Sequence, residues 1–278
     1  MRLRSLLYVP ADNPRFIAKA HTRSADAVIL DLEDAVLPAD KTVARAGLAQ
    51  AVGTAGKSGA RVFVRINGDL ETALEDAEAA QGAGAWGLYV SKANADKLQR
   101  LDVHLSRLER QGTDAPMSLV ALIEDPGGVL NAPEMARQKR VIALTAGGED
   151  IALSLGGEAA PDVLRLPKLL IHYAAKAAGL LSFGLLQTAS DYGDLDALAA
   201  SADEARRHGF DGASCVHPSA VEILNRVFLP SAEQLAWAGR VLEAAAATKQ
   251  GAFAIDGKMI DAPIISRARA IVMRANAK

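Results

Sequence analysis

Two carboxylates stand where chemistry can begin. Glu124 directly follows the apolar run Ser118-Leu-Val-Ala-Leu-Ile123, and Asp150 closes the segment Gly147-Gly-Glu-Asp150 after the run Val141-Ile-Ala-Leu144. A carboxylate at the end of a buried strand is costly unless a cation or an arginine faces it. Two such oxygens from successive strands, with water completing an octahedron, describe a Mg²⁺ site. Thiolate or imidazole clusters that would suit zinc are absent from the pattern. Each residue also has an ordinary reading. Glu124 fits a structural salt bridge, and Asp150 fits the N-cap of a helix over Ile151–Leu155.

Other polar residues gather at comparable places. Asp31-Leu-Glu-Asp34 follows one apolar run and Arg65-Ile-Asn67 another. The Arg65 guanidinium can grip a carboxylate or carbonyl in bidentate fashion, or simply pair with Glu33 or Asp34. Gly147 and Gly148 expose backbone N–H groups suited to a substrate carboxylate, although a Gly pair is also an ordinary way into a helix. Lys19, Lys41 and Arg45 are each solvated charges when taken singly, and together could hold phosphates. His217 ends a strand and reads better as a structural residue than as a base. His21, His104, His172 and His208 read as solvated. The single cysteine, Cys215, sits in an apolar setting that favours a buried structural role and allows no intrachain disulfide.

For these groups to meet, the runs that carry them must lie side by side. Short apolar runs at Leu6–Val9, Ala27–Leu30, Val62–Arg65, Gly87–Val90, Ser118–Ile123, Val141–Leu144, Leu180–Phe183 and Gly212–Val216 read as strands. Ala-rich segments of helical spacing lie between them: Lys41–Val52, Leu70–Gln81, Ala95–Arg110, Ala132–Gln138, Pro167–Ala178 and Ala197–His208. Strands apolar on both faces and alternating with helices imply a parallel sheet under helices. Eight such units favour an α/β fold of the closed (β/α)8 TIM-barrel type over an open doubly wound sheet. In that barrel the residues just past each strand form the mouth. Residues 1–230 make the barrel, and residues 231–278 a C-terminal helical extension. The extension reads as a helix from Ser231 to Thr248, a loop over Gly251–Pro263 and a second helix over Ile264–Ala277.

The 278 residues suit one such domain with an appendage, and an apolar share of 50% supplies its core. A net charge of −2 gives no electrostatic reason to expect nucleic acid or an anionic membrane as partner. No run reaches the ~18 apolar residues of a membrane helix, and the apolar run before Pro10 is too short for a signal peptide. The expectation is a cytoplasmic enzyme.

The ordered motifs resemble the citrate lyase β-subunit group within the HpcH/HpaI aldolase superfamily. They are Asp31-Leu-Glu-Asp-Ala-Val36 with Lys41 and Arg45, Arg65-Ile-Asn67, Glu124, Gly147-Gly-Glu-Asp150, Val216-His-Pro218, Phe228-Leu-Pro-Ser231 and Asp256-Gly-Lys-Met-Ile-Asp-Ala-Pro263. The resemblance spans nearly the whole chain. It implies a TIM barrel with a helical lid, assembled as a homo-oligomer, a trimer or hexamer. It also implies cleavage or formation of a C–C bond in a 3-hydroxyacyl thioester such as citryl, malyl or citramalyl thioester. Mg²⁺ would be held by Glu124 and Asp150, with Arg65 stabilising an oxyanion. Asp261 would act as acid/base in a neighbouring subunit's site, and the early basic residues would bind coenzyme A. Glu33 is the further carboxylate placed to move a proton. Alternatives are a CoA-independent class II aldolase and a non-catalytic thioester-binding subunit. The sequence departs from the family pattern at Val90-Ser91-Lys92, at Lys168, and at Phe183-Gly-Leu-Leu-Gln187. Lys92 as a Schiff-base lysine is disfavoured, because metal-held carboxylates already provide the electron sink.

Overall fold

The computed structural model describes residues 2–109, 116–186, 193–248 and 251–276. Each of the eight apolar runs becomes a strand: β1 Ser5–Pro10, β2 Ala27–Asp31, β3 Arg61–Ile66, β4 Gly87–Val90, β5 Ser118–Ile123, β6 Val141–Ala146, β7 Leu181–Phe183 and β8 Ala213–Cys215. They pair in parallel in the order β7-β6-β5-β4-β3-β2-β1-β8. The ends of that order are joined by a parallel bridge from Phe183 to Gly212. Gly184 N–H donates to Gly212 O at 2.9 Å, and Asp211 N–H donates to Ser182 O at 2.9 Å. The sheet thus closes into a (β/α)8 barrel. Closure removes the sheet edges, and their unpaired backbone groups with them.

On its other side, where β8 meets β1, Gly212 has to be a glycine. A Cβ on Gly212 would lie 2.1 Å from Leu3 O and 2.8 Å from the Arg4 Cα, distances that no side chain tolerates. The barrel interior is filled by Leu6, Ile29, Phe63, Tyr89, Val120 and Phe183. Tyr8 meets Tyr89 edge-on with ring centroids 5.9 Å apart, a favoured aromatic arrangement.

Several helices differ from their sequence-based bounds. The segment read as Lys41–Val52 is two helices, Lys41–Ala46 and Leu48–Ala55, interrupted at Gly47. The helix expected to start at Pro167 runs from Pro161 to Ala177. Pro161 occupies the first turn, where a missing N–H costs nothing, and Pro167 is carried inside. Short helices at Pro14–Ala20, Pro126–Leu130 and Ser219–Val227 had no counterpart in the sequence reading. Asn13 and Asp125 cap the first two through their side chains.

The chain divides into two compact units, one of Leu3–Asn225 and the other of Arg226–Lys278 together with Met1–Arg2. In the second, Ser231 caps the helix Ala232–Ala247 with a reciprocal Ser231–Gln234 capping box. The stretch Gly251–Pro263, read as a loop, instead carries a β-hairpin, β9 Phe253–Ile255 with β10 Lys258–Ile260. Its turn is Asp256-Gly257, both at positive φ. That dipeptide is the usual sequence signal for a two-residue hairpin turn, and it went unused. Ile260 packs with Ala238, Val241 and Ala268 of the flanking helices.

Candidate active site

The C-terminal ends of β1, β3, β5, β6, β7 and β8 surround a cavity of about 450 Å³, lined by Tyr8, Arg65, Glu124, Gly147, Gly148, Asp150 and Lys168 among others. Glu124 comes one residue after β5 and is buried. One carboxylate oxygen, Oε2, accepts from the Lys92 backbone N–H. Burial pushes the Glu124 carboxyl up to about 7. The Lys92 N–H opposes the rise, and the neighbouring charges of Glu33 and Asp150 add to it. The carboxylate therefore sits where its charge lacks sufficient compensation.

Gly147 is required beside it. A Cβ there would lie 2.6 Å from the Glu124 Cγ. The N–H of Gly147, expected to be free, instead donates to Ile123 O at 2.8 Å and continues the β5–β6 ladder. The helix that follows begins earlier than expected, spanning Gly148–Leu155 with Gly147 as its N-cap residue. This corrects the reading of Asp150 as N-cap, because Asp150 sits within the first turn. The first-turn N–H groups of Gly148, Glu149 and Asp150 have no acceptor within the helix.

Arg65 ends β3 and points at the mouth from within a set of acids. Its Nε and Nη2 clamp Asp31 at 2.7 Å each. Its Nη1 lies 2.9 Å from Glu33 Oε2 and 3.0 Å from Asp34 Oδ2. The guanidinium also stacks over the Tyr8 ring, 5.3 Å from its centroid. Burial opposes the Arg65 charge, but Asp31 outweighs it and holds the group protonated well above its ordinary value. Asp31 was missed as a site residue. The available signal was its place at the head of Asp31-Leu-Glu-Asp34 after an apolar run; the structure sets it on β2 directly across from Arg65.

Glu33 is buried and lines a second, polar recess of about 330 Å³ with Asp34, Lys41, Asn67 and Lys92. Burial raises its carboxyl, with Arg65 and Lys92 pulling the other way. Lys92 Nζ lies 3.4 Å from Glu33 Oε1.

The basic residues expected to bind phosphates are placed differently from one another. Lys41 Nζ donates to Leu32 O, Glu33 O and Asn67 Oδ1. Arg45 pairs with Asp76 and Glu75, each at 2.7 Å. Lys19 lies exposed on the helix Pro14–Ala20. Asp261 belongs to the second unit, where its Oδ1 accepts weakly from Ile264 N–H at 3.4 Å at the start of the helix Ala262–Asn276.

Among the histidines, His172 is buried rather than solvated and stacks on Phe210 at 4.3 Å between centroids. His217 is exposed and its Nδ1 lies 2.7 Å from Ser219 Oγ. Cys215 is buried as expected, and burial pushes its thiol up to about 12, out of nucleophilic range. Lys168, singled out in the sequence as a departure from the family pattern, lines the cavity.

The donors fit a hard divalent cation. Glu124 and Asp150 offer only oxygen, and burial leaves the Glu124 charge in need of a partner. Among the described residues no group of three or more His, Cys, Asp and Glu gathers to form a softer or all-protein cage. The family model for HpcH/HpaI aldolase/citrate lyase matches residues 4–218. The chain belongs to that family. Among its relatives, a citrate lyase subunit beta-like protein of Mycobacterium tuberculosis is 34% identical over 277 residues, covering 97% of this chain and 94% of the relative. A (3S)-malyl-CoA thioesterase of Cereibacter sphaeroides is 34% identical over 281 residues, covering 99% and 95%. The fold is similar to the crystal structure of the CitE protein of Mycobacterium tuberculosis in complex with magnesium, acetoacetate and coenzyme A. That match has a TM-score of 0.82 and 34% identity, covering 98% of each chain. Family membership accounts for the shared barrel, and among the described residues no helix is long and apolar enough to cross a membrane.

Proposed function

We propose that this chain is a Mg²⁺-dependent carbon–carbon lyase that cleaves, or forms, a 3-hydroxyacyl thioester of coenzyme A. The observation that carries the reading is the meeting of Glu124, Asp150 and Arg65 at one cavity in the barrel mouth. Glu124 and Asp150 would hold Mg²⁺, which supplies Lewis acidity toward an α-oxo or α-hydroxy carboxylate when bound. A carboxylate takes the proton from the 3-hydroxyl as the C2–C3 bond breaks. The electron pair of that bond leaves on the thioester fragment as an enolate, and an oxo acid remains. Arg65 stabilises the enolate oxygen, and its fixed geometry costs no reorganisation as charge develops. A proton then returns to carbon to give the acetyl thioester. Glu33, whose burial raises its affinity for a proton, serves this transfer from within the barrel. Asp261 serves it from a neighbouring copy in a homotrimer or homohexamer, with residues 231–278 acting as lid.

The test is direct. Purified protein is given citramalyl-, malyl- and citryl-CoA with Mg²⁺. Release of acetyl-CoA from one of them, abolished by EDTA and by Glu124→Ala with an intact circular dichroism spectrum, supports the reading. Release of free CoA would make the chain a thioesterase, as the Cereibacter relative is named. The internal hydrogen bonds of Lys41 and the ion pairs of Arg45 favour a second reading, a CoA-independent aldolase, since they leave fewer cations for phosphates. Charge reversal at Lys19 separates the two: only the thioester lyase loses affinity for its substrate.

A further inference from the structure

One residue touches two of the carboxylates that the proposed chemistry uses. Lys92 stands two residues past β4 and takes a left-handed backbone at φ 48°, a conformation that favours glycine. Its backbone N–H donates to Glu124 Oε2. The next residue, Ala93, donates from its N–H to Leu122 O at 3.0 Å. The Lys92 side chain places Nζ 3.4 Å from Glu33 Oε1. Its stem lies close against Gly68, where a Cβ would come within 2.8 Å of Lys92 Cδ and 3.3 Å of Nζ. A second lysine fastens the two turns together. Lys97 is buried, and its Nζ donates to Asn67 O at 2.8 Å, Gly68 O at 2.9 Å and Ser91 O at 2.7 Å. A strained backbone persists only where its surroundings impose it, and these bonds do so.

Backbone geometry alone does not account for a lysine at this position. Glycine would offer the same N–H to Glu124 without the strain. The side chain must therefore do something more, and what it meets is Glu33, which is only 6% exposed. Arg65 Nη1 lies 2.9 Å from Glu33 Oε2, yet among the described residues no aligned hydrogen bond reaches that oxygen. The Lys92 ammonium faces the other oxygen. Burial raises the Glu33 carboxyl, and the charges of Arg65 and Lys92 oppose the rise. A cation held by Glu124 and Asp150 does not take over this task. Those two carboxylates line the larger cavity, whereas Glu33 and Lys92 line the polar recess.

We infer that Lys92 is a positioning residue for the proposed reaction: its backbone N–H fixes Glu124, which holds the cation, and its ammonium fixes Glu33, which moves the proton. The inference deepens the proposed lyase function and rests on it. The role differs from that of a Schiff-base lysine, because Lys92 forms no bond to the substrate and acts through the two carboxylates.

The experiment combines the kinetics of thioester cleavage with urea denaturation of the full-length protein. Lys92→Gly keeps the N–H and relaxes the backbone, so Mg²⁺ affinity read by calorimetry should not fall. It removes the ammonium, so kcat should drop by about 10- to 100-fold, the effect of a misplaced proton carrier, while KM stays within about threefold. Lys92→Arg should restore most of kcat. Gly68→Ala crowds the stem with Lys92 still in place, and should lower kcat in the same way. In a Glu33→Gln background, Lys92→Gly should cost no further kcat, and its effect on the urea midpoint should be more favourable than in the wild-type chain. An undiminished kcat in Lys92→Gly overturns the inference, as do additive effects of Lys92→Gly and Glu33→Gln or a Mg²⁺ affinity lost with the side chain. Should Lys92→Gly fail to fold, Gly68→Ala decides the matter, and an unchanged kcat there overturns the inference. The midpoints are read without turnover, so the two claims separate. Non-additive midpoints with no cleavage of any thioester defeat the lyase reading alone. Cleavage at an unchanged kcat in Lys92→Gly defeats this inference alone.

Discussion

Replacing Glu124 by glutamine should stabilise the metal-free protein. The Glu124 carboxyl moves from 4.5 to about 7 on folding, chiefly through burial. The folded state thus binds this proton more tightly than the unfolded chain does. That preference contributes stability in full below about pH 4.5 and is lost as pH rises through about 7. The shift of about 2.5 units corresponds to about 3 kcal/mol at ~1.4 kcal/mol per unit. Glutamine is neutral throughout, keeps the volume, and offers an oxygen to the Lys92 N–H. In EDTA at about pH 8 the variant should therefore melt about 5–10 °C above wild type, and the gap should close toward about pH 5. Added Mg²⁺ should reverse the order, because only the carboxylate gains a ligand that binds the folded state. Thermal melts followed by circular dichroism across that pH range make the test. A variant no more stable than wild type at about pH 8, or a gap independent of pH, would refute the account of Glu124 as a buried charge awaiting a cation.

Other substitutions probe the frame around it. Gly147→Ala places a Cβ 2.6 Å from Glu124 Cγ. It should displace that carboxylate, weaken Mg²⁺ binding measured by calorimetry by at least ~10-fold, and cost about 1–3 kcal/mol of stability from overpacking. Arg65→Ala leaves the buried carboxylates of Asp31 and Glu33 without their guanidinium, and chemical denaturation should show a loss of about 3–5 kcal/mol. Arg65→Lys keeps the charge but not the fork, so it should recover part of that stability and little of the thioester cleavage rate. Gly212→Ala drives a methyl into the Leu3 carbonyl at the seam where β8 meets β1. It should lower the melting temperature sharply or prevent soluble expression, even though it touches no cavity side chain.

The sequence by itself carried the barrel. Eight apolar runs alternating with helical spacing leave few ways to bury both faces of every strand, and the runs at Gly87–Val90 and Ser118–Ile123 matched their strands to the residue. It also carried Glu124 and Arg65 as strand-end residues, because a charge next to a buried run is conspicuous in one dimension. Local chemistry that obeys short-range rules was legible too, as with Ser231 capping its helix. The Asp256-Gly257 turn was equally local and was overlooked.

What only tertiary structure decided depends on groups far apart in the chain. Lys168 has the spacing of a solvated helical lysine, and only the packing of its helix against the barrel brings its ammonium to Gly148. His172 looks like a surface residue until Phe210, from a later loop, is stacked on it. Lys41 and Arg45 read as free charges until Asn67 and Asp76 are folded against them. A one-dimensional pattern records which side chains tend to leave water. It does not record which partner, tens of residues away, meets each of them there, and for a buried charge that partner sets both the cost of burial and the chemistry available.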